Sequence, residues 1–312
     1  SKALEAAKAN TDKPSFIEVK TQIGYGCPGK QGKASAHGEP LGDSNIVEMK
    51  AFLKYDSDEF TVADDVKAHM ANLVNEGAKK EEAWNELMKA YAASYPELAK
   101  EWDKWHSDEE ISLDIYDNYQ DPAGKKATRN ASYEVINYMA DRVSNILGGS
   151  ADLAPSTKTY MNNKGDFSAE DYSGTNLHFG IREHAMGAIA NGIAVHGGLK
   201  TFCSTFFVFS DYMKNPMRLA ALMKLPVTYV LTHDSIGVGE DGPTHQPIEQ
   251  LAMLRSTPNL VTFRPADAKE TVAAWEYALS SKTEPVAIVL TRQDLPYLER
   301  TGSEAKKGAY VV

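Results

Sequence analysis

The sequence places a glutamate where an apolar, strand-like segment meets a helix rich in alanine and glycine. Residues 176–181 read as the strand, and Glu183 stands in the first turn of the helix. The positive end of the helix dipole favours an ionised carboxylate, whereas enclosure by apolar neighbours favours the neutral form. A carboxyl group held between these influences suits proton exchange with a ring nitrogen. The plainer alternative is that Glu183 only caps its helix.

Several polar side chains follow predicted strands directly. They are Asp152, Glu183, His233 and Arg292. The loop after His233 runs to Pro247 and contains Asp241 and His245. Arginine suits bidentate phosphate recognition, and histidine suits proton transfer with hydroxyls and carbonyls. Together these residues predict a site for a phosphorylated or polyhydroxylated substrate, although each histidine alone would more often bond a buried backbone group.

Three aromatic residues, Phe206, Phe209 and Tyr212, are spaced three apart after another predicted strand. At helical spacing they would share one face. Such a stripe is commonly part of a core. The alternative is a wall on which a flat heteroaromatic ring stacks, with Tyr212 adding a polar edge.

The elements that must position these residues alternate between strands and helices after residue 127. Strands are predicted up to residue 152 and at 176–181, 200–205, 227–232, 260–264 and 286–291. Helices are predicted at 130–147, from 183, and at 209–223, 248–255 and 268–280. The strands are nearly continuous in apolar residues, which is typical of a parallel sheet covered by helices on both faces. The fold class is therefore α/β, and ligands of such sheets bind beyond the carboxyl ends of the strands.

A mostly helical segment precedes this sheet. It reads as the end of a helix at 4–10, a buried strand at 15–20, a glycine-rich loop at 24–32 and charged helices at 43–105. Trp84 and Trp102 lie at helical spacing with other apolar residues, which predicts core packing. Residues 107–126 lack periodicity and mix acidic residues with proline and glycine, so they are the best candidate for a linker. We therefore expect domains at 1–106 and 127–312.

Composition narrows the classes of function. The chain has 312 residues, a net charge of −10 and 42% apolar residues. This charge argues against a general surface for nucleic acid or anionic membranes. No apolar run approaches the roughly 20 residues of a membrane-spanning helix. Two widely separated cysteines, Cys27 and Cys203, suit a reducing compartment. We expect a cytoplasmic protein without nucleic-acid or membrane partners.

Several motifs together resemble transketolase, a thiamine-diphosphate enzyme. They occupy residues 20–26, 37–38, 148–153, 180–187, 232–247 and 264–267. They stand in the family's order, and the matches run from Pro14 to Leu298. The longest motif, from Thr232 to Pro247, is far more specific than any single short one. The resemblance implies a pyrimidine-binding domain of the thiamine-diphosphate fold at 127–312, preceded by the end of the diphosphate-binding domain at 1–106.

The resemblance also implies which residues bind the cofactor, thiamine diphosphate. Glu183 resembles the glutamate that hydrogen-bonds the pyrimidine ring and thereby promotes deprotonation of the thiazolium carbon. Phe206, Phe209 and Tyr212 resemble the aromatic pocket around that ring, with Phe209 as the stacking partner. Asp152 resembles an acid close to the cofactor.

Other residues resemble those that handle the substrate. His37 and His245 resemble residues beside the reacting carbon and the substrate hydroxyls, and His37 would also touch the cofactor. Asp241 resembles a residue that contacts a donor hydroxyl. The residues that resemble the holders of the sugar phosphate are Arg129, Ser156, His233 and Arg292.

The sequence departs from the family at the metal site. In the family, Mg²⁺ or Ca²⁺ and the diphosphate are held by a Gly-Asp-Gly motif and a later asparagine. Residues 240–242 are Glu-Asp-Gly and do not match that site, so no metal ligand is assigned to this chain. The family's C-terminal domain has no counterpart, and residues 33–36 lack a further histidine that many relatives carry. We therefore expect a portion of a transketolase that is inactive by itself.

The implied activity is transfer of a two-carbon ketol unit between sugar phosphates in the pentose phosphate pathway, by a homodimer with shared active sites. In the helix that begins at Glu183, Ala185, Ala188 and Gly192 stand three or four apart, which predicts a smooth face for that contact. Two other interpretations stay open. One is a related enzyme, dihydroxyacetone synthase or deoxyxylulose-phosphate synthase. The other is a non-catalytic module that binds a partner through this helix.

Overall fold

The computed structural model describes residues 1–107, 114–119 and 124–312. These residues form two compact units, Ser1–Ala90 and Tyr91–Val312. Two parts of the predicted linker, 108–113 and 120–123, lie outside the described residues. No helix within the described ranges is both long and apolar enough to cross a lipid bilayer.

The first unit contains helices α1 (Lys2–Ala9) and α2 (Asp43–Leu53), and α3 (Asp64–Ser94) begins in it. The predicted strand at 15–20 is wrong. This stretch pairs with no strand of the described chain, and Phe16 is 92% exposed. A strand needs a neighbour for its backbone N–H and C=O groups, and an apolar pattern alone does not show whether one is present.

The glycine-rich loop folds as a compact series of turns against α2. Gly26 has a φ of +85°, which favours glycine. A Cβ atom there would lie 3.2 Å from the ring of Phe52. The next residue, Cys27, is fully buried. The loop leads to His37, which is exposed after a short 3₁₀ turn at Ala34–Ala36.

Helix α3 is long and exposed. The structure describes all 31 of its residues, and none of them is buried. Trp84 is 50% exposed. The predicted core packing of Trp84 is wrong, because helical spacing reports an apolar face and not what covers it. The predicted break before α4 (Pro96–His106) is confirmed, with proline in the first turn, where its missing N–H costs no helical hydrogen bond. The predicted core packing of Trp102 is wrong as well, because Trp102 is 40% exposed. Its ring stacks on His106, with ring centroids 4.3 Å apart.

A parallel sheet of six strands forms the centre of the second unit. The strands of this unit are β1 (Lys125–Lys126), β2 (Ile146–Ser150), β3 (Asn176–His178), β4 (Lys200–Phe206), β5 (Thr228–Thr232), β6 (Val261–Phe263), β7 (Val286–Leu290) and β8 (Leu295–Pro296). The helices after α4 are α5 (Ile115–Asn118), α6 (Thr128–Ala140), α7 (Ala154–Thr157), α8 (Glu183–His196), α9 (Ser210–Met223), α10 (Gln250–Arg255) and α11 (Ala268–Ser280). The sheet order is β3–β2–β4–β5–β7–β6, and β1 pairs separately with β8. All pairs within the six-stranded sheet are parallel, so the predicted α/β class is confirmed.

Helices cover both faces of this sheet. On one face Trp275 of α11 packs in a cluster with Phe202 and Val230. On the other face Met213 of α9 packs in a cluster with Tyr229. Tyr229 and Val230 are neighbours in β5 and enter opposite cores, because successive strand side chains point to opposite faces. This two-sided burial explains why the strands are nearly continuous in apolar residues.

The predicted helix at 130–147 is too long. Helix α6 ends at Ala140, and Ile146 begins β2. The apolar residues between them fit either pattern, and tertiary packing decides. Gly148 of β2 lies so close to β4 that a Cβ atom there would be 2.5 Å from the backbone oxygen of Phe202. The other predicted helices and strands of this unit are confirmed, with ends that differ by a few residues.

Candidate active site

The carboxyl ends of neighbouring strands lie level at one edge of the sheet. Phe206 at the end of β4 is in register with Thr232 at the end of β5, and Thr232 is in register with Leu290 of β7. Side chains that follow these strands are therefore neighbours. His233 and Arg292 both follow strands that end at this edge, and the charge of Arg292 lowers the pKa of His233.

Three aromatic rings form a wall at the end of β4. The ring centroids of Phe206 and Phe209 are 6.1 Å apart, with planes 9° from parallel, and those of Phe209 and Tyr212 are 6.2 Å apart. The chain passes here from β4 through a 3₁₀ turn into α9, so the rings align without sharing one helix. Phe206 is buried and Tyr212 is 65% exposed. We call these three residues the aromatic wall, and its open face suits stacking of a flat ring.

His233 is buried against the aromatic wall. Its ring stacks on Phe206 with a centroid separation of 3.7 Å. Its φ is +62°, in the left-handed region that residues other than glycine rarely adopt. Nδ1 lies 2.9 Å from the Oγ1 atom of Thr232. Burial is the largest cause that lowers the pKa of His233 to about 4. At neutral pH His233 is therefore an uncharged imidazole with a single N–H.

Two arginines make this edge electropositive. The charges of Arg129 and Arg292 both lower the pKa of His233, whereas the charge of Asp241 opposes them. Nη1 of Arg129 donates to the backbone oxygen of Ser156 at 2.8 Å. Nε of Arg129 is buried without a hydrogen-bond partner among the described residues. Burial first and Arg292 second also lower the pKa of Arg129. A buried N–H without an acceptor, beside a second cation, fits an anionic oxygen.

The loop between β5 and α10 brings a second histidine to this edge. The ring of His245 stands edge-on to Phe209 at a centroid distance of 5.3 Å. Its Nδ1 lies 2.9 Å from the Oγ1 atom of Thr244. Gly239 of the same loop has a φ of +92°, and a Cβ atom there would lie 3.1 Å from Nη1 of Arg292. Glycine at this position therefore leaves room for the guanidinium group.

Glu183 is the first residue of α8 and is 9% exposed. The N-cap residue of α8 is Arg182, so Glu183 is not the residue that caps the helix. A buried amide fixes the helix: Nδ2 of Asn191 donates to the backbone oxygen of Pro216 in α9 at 2.8 Å. Oδ1 of the same residue accepts from the hydroxyl of Tyr229 in β5 at 3.3 Å. The carboxyl group thus lies on a helix that is hydrogen-bonded to α9, the helix that contains Tyr212 of the aromatic wall.

Three residues assigned from the sequence are not joined to this group by the described contacts. One is Glu183, whose carboxyl has no described contact with the aromatic wall. Asp152 follows β2 at the same edge of the sheet with a φ of +60°, and it is exposed. His37 belongs to the first unit, where it is also exposed. The structure brings together the aromatic wall, His233, His245, Asp241, Arg129 with Ser156, and Arg292.

Two polar contacts at this edge have no counterpart in the sequence predictions. Arg264 donates from Nε and Nη2 to Oδ2 of Asp234, at 3.0 and 2.8 Å. Gln250 donates from Nε2 to both carboxylate oxygens of Asp211, at 3.1 and 3.0 Å. A signal for Arg264 exists, because it follows β6 directly, as the other polar residues follow their strands. No sequence spacing pairs Gln250 with Asp211.

The aromatic and polar groups of this site fit part of an organic cofactor. The aromatic wall and the buried carboxyl of Glu183 suit a heteroaromatic ring that carries exchangeable nitrogen protons. The unpaired Nε of Arg129 suits an anionic group. Within residues 1–107, 114–119 and 124–312, no group of three or more His, Cys, Asp and Glu side chains is placed to hold a metal ion.

Comparison with known families covers both parts of the chain. Residues 124–297 match the family described as transketolase, pyrimidine binding domain. Residues 1–111 match the family described as transketolase, thiamine diphosphate binding domain.

Individual relatives agree with these matches. The transketolase of Geobacillus stearothermophilus is 53% identical over 327 residues, which cover 100% of this chain and 48% of the relative. Chloroplastic transketolase-1 of Arabidopsis thaliana is 45% identical to this chain. The alignment covers 99% of this chain and 42% of the relative. The chain spans about half the length of the curated relatives it matches.

Solved structures give the same result. The transketolase of Pichia stipitis in complex with sedoheptulose-7-phosphate superposes with a TM-score of 0.90 at 41% identity, over 98% of this chain and 46% of that one. The transketolase of Leishmania mexicana superposes with a TM-score of 0.90 at 40% identity, over 97% of this chain and 46% of that one. A family model matches more than half of the residues of this chain, and both its sequence and its fold are similar to those of transketolases. This chain therefore belongs to the transketolase family.

Proposed function

We propose that this chain is part of an enzyme that transfers a two-carbon ketol unit from a ketose phosphate to an aldose phosphate in the pentose phosphate pathway. One observation supports this most directly: uncharged His233 stacks on Phe206, and the nearby charges of Arg129 and Arg292 both lower its pKa. A stacking face and a positive pole thus lie side by side. A heteroaromatic cofactor requires the first, and a sugar phosphate requires the second.

The aromatic wall and Glu183 would bind the cofactor. Thiamine diphosphate, when bound, supplies a carbon nucleophile that carries the two-carbon unit between sugars. Phe209 would stack on the pyrimidine ring, because it is the central ring of the wall, with Phe206 and Tyr212 on either side. Glu183 would bond a ring nitrogen and exchange a proton with it, since a buried carboxyl at a helix start can serve as acid or base. Asp152 would lie nearby.

The electropositive edge would hold the phosphorylated end of the sugar. Arg129 and Arg292 would donate to the phosphate oxygens, with Arg129 oriented by the backbone oxygen of Ser156. His233 would add a neutral N–H donor. Asp241 would accept a hydrogen bond from a donor hydroxyl. The Pichia stipitis relative was solved with a sugar phosphate, sedoheptulose-7-phosphate.

Two histidines would act beside the reacting carbon. His245 would exchange protons with the hydroxyl and carbonyl oxygens of the substrate. Its Nδ1 already lies 2.9 Å from Thr244 Oγ1, which leaves Nε2 for the substrate. His37, from the diphosphate-binding part, would act on the same atoms and touch the cofactor.

The remaining assignments concern the whole enzyme. Mg²⁺ or Ca²⁺ would hold the diphosphate through residues outside this chain. The enzyme would be a cytoplasmic homodimer with shared active sites, without nucleic-acid or membrane partners. Residues 1–106 would be the end of the diphosphate-binding domain, 107–126 a linker and 127–312 the pyrimidine-binding domain.

A transfer assay on the full-length protein tests this function. Ketol transfer from a ketose phosphate to an aldose phosphate should require thiamine diphosphate and a divalent ion. Phe209→Ala should raise the thiamine-diphosphate concentration needed for half-maximal activity. Phe167→Ala is the matched control, because Phe167 is a half-exposed ring in the loop before β3. It should leave that concentration unchanged.

The same assay distinguishes the alternatives. A preference for unphosphorylated donors or acceptors would favour one of the related synthases. Absence of any thiamine-diphosphate affinity in the full-length protein would favour the non-catalytic module and would refute the proposal.

A further inference from the structure

The motif at 264–267 has no part in the proposed chemistry. Its first residue, Arg264, forms an ion pair with Asp234, a buried residue next to His233. The side chain of Asp234 is 2% exposed, and that of Arg264 is 42% exposed. Both donated hydrogen bonds from Arg264 reach one oxygen, Oδ2. The other oxygen, Oδ1, is buried without a hydrogen-bond partner among the described residues. Arg264 is therefore the main compensation for this carboxylate, and a buried carboxylate that loses its cation is strongly unfavourable.

The residue before Asp234 has a backbone conformation that needs support. His233 has a φ of +62°, a region that is disfavoured for residues with a Cβ atom. Its ring contacts Phe206 and the hydroxyl of Thr232, and neither contact involves the peptide that follows. Rotation of that peptide toward a more favourable conformation would carry Asp234 away from Arg264. The ion pair therefore opposes the relaxation of His233.

We propose that Arg264 is a positioning residue for His233. Arg264 follows β6, which lies on the far side of β7 from β5. Its side chain thus crosses the end of β7 to reach the residue after His233. Without this ion pair, Asp234 would turn toward water and the imidazole would leave Phe206. The consequence for catalysis rests on the proposed function, in which His233 binds the substrate phosphate.

Kinetics of the full-length protein test the proposal. Arg264→Met keeps the length of the side chain and removes its charge. We expect the KM for a ketose phosphate donor to rise about tenfold, and the KM for unphosphorylated hydroxypyruvate to stay within about twofold, because one hydrogen bond to a charged group is lost. The kcat with hydroxypyruvate should not change. Arg264→Lys, which retains the charge, should recover part of the loss. Arg255→Met removes an exposed arginine of α10 and is the matched control.

A crystal structure of the Arg264→Met protein gives a readout that does not depend on substrate. The ring of His233 should no longer stack on Phe206. If it still stacks as before, the proposal is overturned. If the variant does not fold, Arg264→Lys and Asp234→Asn allow the same measurement with a milder change.

His233→Asn, measured in parallel, separates this proposal from the proposed function. If His233→Asn raises the KM for phosphorylated donors selectively and Arg264→Met does not, Arg264 is not a positioning residue and the phosphate role of His233 stands. If the ring moves in the Arg264→Met crystal structure while neither variant changes the KM selectively, the positioning is supported and the phosphate role of His233 fails.

Discussion

At the scale of single residues, the buried carboxyl of Glu183 has the most demanding chemical assignment. In the full-length protein, Glu183→Ala should lower kcat by about 10²–10⁴-fold, because it removes a positioned acid–base group. The fold should persist, since Met186 and Ala190 supply the apolar packing of α8. Steady-state kinetics at saturating cofactor and circular dichroism measure both effects. Glu170→Ala, at an exposed glutamate, is the control, and wild-type kcat in Glu183→Ala would refute the assignment.

Arg292 should distinguish phosphorylated from unphosphorylated donors. Arg292→Ala should raise the KM for a ketose phosphate by roughly 10- to 100-fold, because hydrogen bonds to a charged group contribute about 1.5–3 kcal/mol. The KM for hydroxypyruvate should change far less. Arg300→Ala, at an exposed arginine further along the chain, controls for loss of positive charge. An equal rise for both donors would mean that Arg292 only supports the structure.

The lowered pKa of His233 links the stability of the protein to pH. This pKa falls from 6.5 to about 4 on folding, so between these values the unfolded chain binds a proton that the folded chain does not. The free energy of unfolding should therefore decrease as the pH falls from about 6.5 to about 4, by at most about 1.4 kcal/mol per pH unit from this residue.

Replacing the histidine tests this linkage. Unfolding by urea at a series of pH values should show a shallower loss of stability for His233→Gln than for the wild type. His196→Gln, at an exposed histidine near the end of α8, should keep the wild-type slope. Identical slopes for His233→Gln and the wild type would show that His233 takes up its proton equally in both states.

The sequence located much of this site because polar residues directly follow buried strands. That rule identified His233 and Arg292 without any knowledge of strand order. It could not show that His233 is uncharged, because its burial depends on which strands are neighbours. The ion pair of Arg264 with Asp234 also depends on strand order, since β6 comes later in the chain and lies beyond β7 in the sheet.

At the scale of elements, helix α8 presents two different faces. One face packs on α9, where a Cβ atom at Gly187 would lie 2.8 Å from the Pro216 ring. On the other, Ala188 is exposed, and no atom of the described residues lies within 4 Å of a Cβ placed at Gly192. This open face of small side chains is where a second helix could approach closely.

Ala188 therefore tests the proposed homodimer. Ala188→Leu should weaken association of the full-length protein, because a bulky side chain separates two closely packed helices, and cofactor retention should fall with it. Sedimentation velocity at several concentrations measures the association. Ala188→Ser keeps the small size and should behave as the wild type. A wild-type protein that sediments only as a monomer would exclude this interface.

Secondary structure was most predictable where a single unit contains all the partners of an element. Strands β4, β5 and β7 are buried on both faces, and their apolar runs identified them. The stretch at 15–20 has only three apolar residues, Phe16, Ile17 and Val19, and no neighbouring strand among the described residues. The face of α3 that includes Trp84 is apolar yet exposed. In both cases the pattern correctly indicates apolar side chains, but these side chains are exposed in the described part of the unit.

At the scale of the whole molecule, we expect the 312-residue chain alone to show no ketol transfer. It offers a stacking face and a few hydrogen bonds, each contributing about 0.5–1.5 kcal/mol net. The affinity for thiamine diphosphate should then be no tighter than about 1 mM, which corresponds to about −4 kcal/mol. Calorimetry with and without Mg²⁺ measures it. Adding a separately expressed N-terminal portion of a transketolase should restore metal-dependent binding, whereas micromolar, Mg²⁺-dependent binding by this chain alone would contradict the expectation.

The place of β7 between β5 and β6 has a consequence for synthesis of the protein. β7 is the last of the six strands to leave the ribosome, yet it occupies an interior position in the sheet. Until residues 286–290 emerge, β5 has an unpaired edge and β6 has no neighbour in the sheet. Unpaired edges of this kind are prone to join with other chains. A ribosome-bound chain from which residues up to 285 have emerged should therefore depend on chaperones more than one from which Arg292 has emerged as well, because only the second can pair β7 with β5 and β6.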